Sequence, residues 1–344
     1  MIFSYRTRQF LKRLFVVLVY IALAAVALAF CLLLWLQRFI VYTPDGAKLM
    51  FDLPAVTAPG ATPQAPQNGK VDIEYVGEEK EEIPDDPTVE VPKKEKMKGY
   101  YIEPQLLQQK DLTEVYSLLE ALPAGTPVML DVKSTGGYFF YSSEFGSTST
   151  AYDIAQMDAL IAYLAESELY VIAKLPGLCD YDYAVKHPLC GIQDKRGYVW
   201  LDSSRKYWLD PSKERTMTYL IQVIKELRGL GFDEVVLQNF SIPESENIDF
   251  KLERQPLLNE TAQSLVLACA TEEFTVAFVA DTPALQMPES RSRLYLMNVP
   301  GADVEEMLSQ MLVNDPETDV VIIAQSYDTR YEICGTLHPL SQAH

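Results

Sequence analysis

Short apolar segments alternate with longer segments of helical periodicity across residues 97–335. The short segments are rich in β-branched residues and predict strands, while apolar residues three and four apart predict helices between them. The predicted strands are 99–102, 127–132, 169–174, 233–238, 274–280, 293–297 and 319–324, and the predicted helices are 112–122, 152–167, 214–230, 259–271 and 303–313. This alternation predicts an α/β fold with a parallel sheet, most economically a (β/α)8-like TIM barrel. An eighth strand is not evident, so the pattern leaves closure of the barrel open.

The pattern of residues 14–36 is different, because every residue there is apolar or Tyr. A helix of this length crosses the roughly 30 Å of hydrocarbon in a bilayer. Four basic residues in the tail 1–13 predict a cytoplasmic N-terminus, which places the rest of the chain outside a bacterial plasma membrane. A cleaved signal peptide is the alternative, but the apolar segment continues well past its small-residue pairs, which favours an uncleaved signal anchor.

Residues 37–96 are predicted to form a disordered stalk. Prolines recur between 51 and 96, and the charged residues 78–82, four of them Glu, add a predominantly negative charge, so this segment is typical of an extended spacer. Beyond the predicted barrel, residues 336–344 are interpreted as a C-terminal tail.

Charge and the content of histidine and cysteine exclude several classes of partner and site. The net charge of −19 argues against a nucleic-acid partner, which needs a basic face. The three histidines lack the spacing of metal ligands, so the sequence predicts no metal site. It also lacks a glycine-rich phosphate-binding motif, so it predicts no cofactor. Five cysteines do not form a disulfide scaffold in a chain this long, although Cys179 and Cys190 flank one predicted loop and could pair.

In a TIM barrel the functional residues lie where strands end and loops begin. Six polar residues each end a predicted strand: Asp131, Lys174, Gln238, Asp281, Asn298 and Gln325. Such a set suits a hydroxyl-rich ligand, although any one of them could simply satisfy a loop. The loop 176–211 adds Trp200 and Trp208, which would stack on sugar rings or form the loop's own small core.

Four segments together resemble a known family. They are Tyr-Trp-Leu-Asp-Pro at 207–211, Gly-Phe-Asp-Glu-Val at 231–235, Ile-Pro at 242–243 and Met-Leu-Asp-Val-Lys at 129–133. In order and spacing they resemble the bacterial putative glycosyl hydrolase domain family, TIM barrels distantly like the alpha-amylase clan, over roughly residues 98–327. The resemblance implies a carbohydrate site at the barrel mouth and adds Lys133 to the ligand-binding candidates.

The sequence departs from this family at acidic positions. Ser134 and Thr135 replace two aspartates, and Gln238 replaces the candidate nucleophile. Glycoside hydrolysis generally needs two carboxyl groups, and a neutral amide can replace neither of them. Asp131 and Asp281 are the remaining candidate catalytic acids.

Three functional hypotheses follow. The first is a membrane-anchored, extracytoplasmic, glycoside-hydrolase-like barrel without ordinary catalysis, which binds carbohydrate or a cell-envelope component. The second is an active glycoside hydrolase that uses Asp131 and Asp281. The third is a scaffold that docks another envelope protein through its acidic surface.

Overall fold

The computed structural model describes residues 40–43, 46–49, 94–289 and 291–343. The predicted cytoplasmic tail 1–13, the predicted membrane segment 14–36 and most of the predicted stalk lie outside the described residues. Among the helices that are described, none combines the length and the apolar character that a membrane span requires.

Two short strands lie at the start of the segment that the sequence analysis assigned to the stalk. β1 (Ile40–Thr43) and β2 (Gly46–Leu49) pair in an antiparallel manner, with Ile40 opposite Leu49. They precede the proline-rich residues 51–96, and the prediction of a disordered stalk did not anticipate them.

The remaining eight strands form a closed parallel barrel, which confirms the predicted TIM-barrel class. They are β3 (Lys98–Tyr101), β4 (Pro127–Asp131), β5 (Tyr170–Pro176), β6 (Glu234–Gln238), β7 (Thr275–Val279), β8 (Leu294–Met297), β9 (Val320–Ile323) and β10 (Gly335–Pro339). β10 pairs with both β9 and β3 and so closes the barrel. It is the eighth strand that the sequence pattern did not show, and residues 336–339 therefore belong to the barrel and not to a tail.

Helices surround the barrel. They are α1 (Pro104–Leu107), α2 (Thr113–Glu120), α3 (Ile154–Glu166), α4 (Tyr181–Lys186), α5 (Glu214–Gly229), α6 (Arg254–Cys269), α7 (Val304–Gln310) and α8 (Pro316–Asp319). The Asp153 carboxylate caps α3 by accepting hydrogen bonds from two backbone amides of its first turn. Gly231 follows α5 with a φ of 91°, and a Cβ there would lie 2.6 Å from the Cβ of Ala165. Glycine is therefore required where the chain turns into β6.

Alternation along the strands fills the barrel with apolar side chains and sets the direction of the polar ones. The interior contains Met129, Ile172, Val236, Ala277, Tyr295, Val321 and Leu337. Asp131, Lys174 and Gln238 lie two residues beyond the interior residues of β4, β5 and β6, so they continue the inward-facing series at the carboxyl ends of these strands.

A buried polar cluster lies at the opposite end of the barrel. The fully buried Glu234 carboxylate accepts hydrogen bonds from Arg293 Nη1 at 2.6 Å, the Tyr295 hydroxyl at 2.7 Å and the Tyr170 hydroxyl at 2.8 Å. Asp233 next to it accepts a bond from the backbone amide of Val171 at 2.7 Å. Both acidic residues therefore hold the amino-terminal end of the barrel together, as their position at the start of a strand predicts.

Candidate functional site

The mouth of the barrel brings together three of the predicted site residues on neighbouring strands. Asp131 on β4 is the register partner of Lys174 on β5. Gln238 on β6 is the register partner of Pro176, which also lies on β5. Lys174 Nζ lies 3.1 Å from Asp131 Oδ1, and both side chains are partly exposed. All three are half-buried, so their polar groups remain reachable from the mouth.

The Asp131 carboxylate is paired with one cation. Its Oδ1 lies 3.1 Å from the ammonium group of Lys174, and the Asp131 side chain is 20% exposed. A carboxylate has room for more than one donor, so a ligand hydroxyl that enters the mouth would have acceptor positions available on Asp131.

Aromatic and acidic side chains beside this group were missed by the sequence analysis. Tyr101 at the end of β3 packs against the interior residues, and its partial burial and then the charge of Glu103 raise the pKa of its phenol. Glu103 follows β3 and accepts hydrogen bonds from Ser341. Tyr152 is also half-buried. Burial is the main cause that raises the pKa of its phenol, and the charge of Asp131 raises this pKa further. Period-two alternation from the interior of β3 would have identified Tyr101.

Asp281 lines a cavity to which the Asp131–Lys174 pair does not contribute. It is exposed beyond β7 and lines a cavity of about 740 Å³ together with Ser241, Phe250 and Arg254. Partial desolvation at this rim raises the pKa of the Asp281 carboxyl above its usual range. Asp131 is not one of the described residues that line this cavity, so the two candidate acids do not face one common space there.

Asn298 and Gln325 are both exposed at the carboxyl end of the barrel. Asn298 has a φ of 57°, and Asn239, which follows β6, has a φ of 50°. Asparagine tolerates this left-handed conformation better than most residues, and such outliers often occur at functional sites. The backbone carbonyl of Gln325 accepts a hydrogen bond from Gln342 Nε2 at 3.2 Å, and this bond does not involve the Gln325 side chain.

Lys133 was predicted to bind ligand, and the structure corrects this prediction. The residue is only 2% exposed, and its ammonium group forms an ion pair with Asp180. It also donates to the Tyr219 hydroxyl at 2.7 Å and lies over the rings of Tyr219 and Phe139, at 5.0 and 4.9 Å from their centroids. A ligand in the mouth cannot reach this group, so Lys133 is a structural residue.

The two tryptophans of the loop 176–211 differ in exposure. Trp208 is buried within the main hydrophobic core, and its indole Nε1 donates to Asp202 Oδ2 at 2.9 Å. Trp200 is half-buried and packs against the same core. The exposed aromatic rings of this loop are tyrosines, among them Tyr198, which is 71% exposed, and Tyr181, which stacks on Tyr207. These tyrosines are therefore more accessible than either tryptophan.

The cysteines and possible metal ligands add no further chemistry to the mouth. Cys179 and Cys190 are free and buried, so the possible disulfide is absent, and burial raises the pKa of the Cys179 thiol to about 12. Within residues 94–289 and 291–343, no group of three or more histidine, cysteine or acidic side chains could hold a metal ion.

Comparison with solved structures finds similar barrels. A hypothetical protein from Ruminiclostridium thermocellum is 20% identical, with a TM-score of 0.46 over 54% of this chain and 99% of its own. An alpha-galactosidase from Lactobacillus brevis is 12% identical, with a TM-score of 0.47 over 72% of this chain and 39% of its own. A beta-N-acetylhexosaminidase from Bacteroides fragilis is 8% identical, with a TM-score of 0.43 over 70% and 55%. This chain thus spans less than two thirds of the two enzymes.

Sequence comparison is more specific. The chain matches no curated protein. The model of a family described as a putative glycosyl hydrolase domain matches residues 101–282, more than half of the chain and the part that contains β4 to β7. The chain belongs to the putative glycosyl hydrolase domain family.

Proposed function

We propose that this protein binds carbohydrate at the mouth of its glycoside-hydrolase-like barrel and has lost ordinary glycoside hydrolysis. The observation that carries the proposal is the Asp131–Lys174 ion pair at the carboxyl ends of two neighbouring strands, which is partly exposed at the mouth. Asp131 faces inward at the end of β4, where this fold carries its functional groups.

The groups around Asp131 suit a sugar. Lys174 offers donors, Gln238 offers both a donor and an acceptor, and Tyr101 offers an aromatic surface with a hydroxyl group. Neighbouring sugar hydroxyls each need a donor and an acceptor, and an aromatic ring packs against the apolar face of the sugar. These groups supply each kind of contact within adjacent strands.

The same geometry supports binding over hydrolysis. Hydrolysis needs two carboxyl groups on opposite sides of one bond, about 5–10 Å apart. At the ends of β4, β5 and β6 the inward residues are one carboxylate, one ammonium group and one amide. Asp281, the other candidate acid, lines a separate cavity.

The cellular setting is also part of the proposal. A signal anchor at residues 14–36, with a cytoplasmic N-terminus and the spacer that follows, would hold the barrel outside the plasma membrane. Its ligand would then be a carbohydrate or another polymer of the cell envelope.

Changing the Asp131 carboxylate tests the binding proposal. We expect Asp131→Asn to weaken glycan binding by roughly tenfold or more, because a hydrogen bond to a charged group contributes about 1.5–3 kcal/mol. Gln238→Ala should weaken binding by a smaller factor. Isothermal titration calorimetry with a glycan that binds the full-length chain measures both. Glu305→Gln, an exposed acidic residue on α7, is the matched control and should bind as the wild type does. Equal affinity in Asp131→Asn and Glu305→Gln would contradict the proposal.

The second candidate function is hydrolysis by Asp281 and Asp131. It is favoured by the raised pKa of the Asp281 carboxyl, which suits a general acid, while Asp131 at the end of β4 would act as base or nucleophile.

For that enzyme we predict a pH dependence of definite sign. The protonated Asp281 needed for catalysis is present below its raised pKa, so the rate should fall as the pH rises through that value. Asp281→Asn should lower the rate by about 10²- to 10⁴-fold, as expected for loss of a general acid. Release of reducing sugar, followed as a function of pH, measures both effects. Activity that Asp281→Asn leaves unchanged would exclude this mechanism.

A further inference from the structure

A basic cavity lies at the amino-terminal end of the barrel, opposite the mouth. It has a volume of about 450 Å³ and is bordered by the residues that precede or begin β3, β4, β5 and β8. Five cationic side chains line it, Lys94, Lys96, Lys98, Arg291 and Arg293, and Glu95 is the only acidic one. In a chain with a net charge of −19, this local excess of positive charge requires an explanation.

Three of these cations have partners in the protein. Lys94 forms an ion pair with Asp319 and donates to the Ser292 carbonyl at 2.8 Å. Lys96 Nζ lies 3.1 Å from Glu317, and Arg293 is bound to the buried Glu234. Their charges are therefore compensated without any ligand.

The other two cations have no acceptor in the part of the chain that the structure describes. Arg291 is the more informative, because its Nε and Nη1 atoms are buried and make no hydrogen bond. Lys98 is exposed at the start of β3 and forms no ion pair there. A buried guanidinium with two unused donors is rare, since each unused donor has lost water without gaining a partner.

We propose that this cavity binds a small molecule through a phosphate group, held by Arg291 and Lys98. These two cations have no acidic partner among the described residues, and with the exposed Glu95 as the one negative charge in the lining they leave a net positive charge that favours a phosphate group. The planar guanidinium donates to phosphate oxygens from several positions, and an ammonium group complements it as a point charge. The cavity volume is within the range of small-molecule sites. The site is separate from the mouth, so the inference does not depend on the proposed carbohydrate function.

Titration of the full-length chain in mild detergent with inorganic phosphate tests the proposal. Chloride at matched ionic strength corrects for nonspecific screening, which affects exposed charges most. We expect saturable binding of one phosphate per chain and a rise in melting temperature, since a ligand that binds only the folded state stabilises it. Arg291→Met should weaken binding at least tenfold, and Lys98→Met should weaken it by a smaller factor.

Lys195→Met is the control, because Lys195 is an exposed lysine in the loop 176–211 and should leave phosphate binding unchanged. Without phosphate, Arg291→Met should melt no lower than the wild type, because it removes unsatisfied donors. If Arg291→Met does not fold, Arg291→Lys keeps the charge and should still lose most of the affinity. The proposal is overturned if phosphate shows no saturable binding beyond the chloride control, or if the Arg291 variants bind as Lys195→Met does.

Discussion

Replacing Lys133 by Met is expected to lower the free energy of unfolding by about 3–5 kcal/mol, because it leaves the buried Asp180 carboxylate without its cation. Both side chains are almost completely buried, at 1% and 0% exposure. Asp180 would keep the Tyr219 hydroxyl at 2.8 Å and the Tyr183 amide at 2.9 Å, but neither neutralises its charge. Denaturation with urea, followed by circular dichroism, measures the change.

A matched control exists a few residues away. Lys186 pairs with Asp182 across one turn of α4, and its side chain is 49% exposed. Lys186→Met should cost at most about 1 kcal/mol, as is usual for surface ion pairs. The double change Lys133→Met with Asp180→Asn should recover part of the lost stability, because no unpaired charge then stays buried. Equal effects of Lys133→Met and Lys186→Met would contradict a structural role for Lys133.

The second large effect is expected from Glu234→Gln at the other end of the barrel. The amide cannot neutralise Arg293, which is also buried, so the free energy of unfolding should fall by about 3–5 kcal/mol. Burial, and then the charge of Glu234, raises the pKa of the Tyr295 phenol, which donates to this carboxylate. Two further hydrogen bonds in the cluster would therefore be weakened as well.

Chemical denaturation of the Glu234→Gln variant and, separately, of the Glu120→Gln control measures the change in the free energy of unfolding. Glu120 ends α2 and is exposed, so its change should stay within about 0.5 kcal/mol of the wild type. Adding Arg293→Met to Glu234→Gln should restore stability in part. A Glu234→Gln variant as stable as Glu120→Gln would show that the cluster does not hold the barrel closed.

Much of the fold could be predicted from the sequence, because the barrel strands are continuous apolar segments separated by amphipathic helices. The strand that was missed, Gly335–Pro339, has only one strongly apolar residue, Leu337, which lies between Thr336 and His338, and it ends in Pro. Buried and partly exposed residues alternate along this strand. The partly exposed residues Thr336 and His338 line a surface cavity that the helices do not cover completely. A local pattern cannot identify such a strand, because only closure of the barrel explains its position.

The candidate site could be predicted less completely. The strand-end rule selected Asp131 and Lys174, and the structure places their side chains next to each other, because alternation determines which side chains face inward. Lys133 was selected from the family resemblance and not by this rule; it lies just beyond β4, where Tyr219 of α5 and Asp180 at the start of α4 receive its ammonium group. These partners lie 86 and 47 residues away along the sequence, so their proximity is a property of the tertiary fold.

The measurement that tests the central claim most directly is a glycan array on the full-length chain, with release of sugar from every bound glycan followed in the same samples. The account predicts binding to at least one glycan without turnover, and loss of that binding in Asp131→Asn. Turnover of a bound glycan that Asp281→Asn abolishes would contradict it and would show an active glycoside hydrolase.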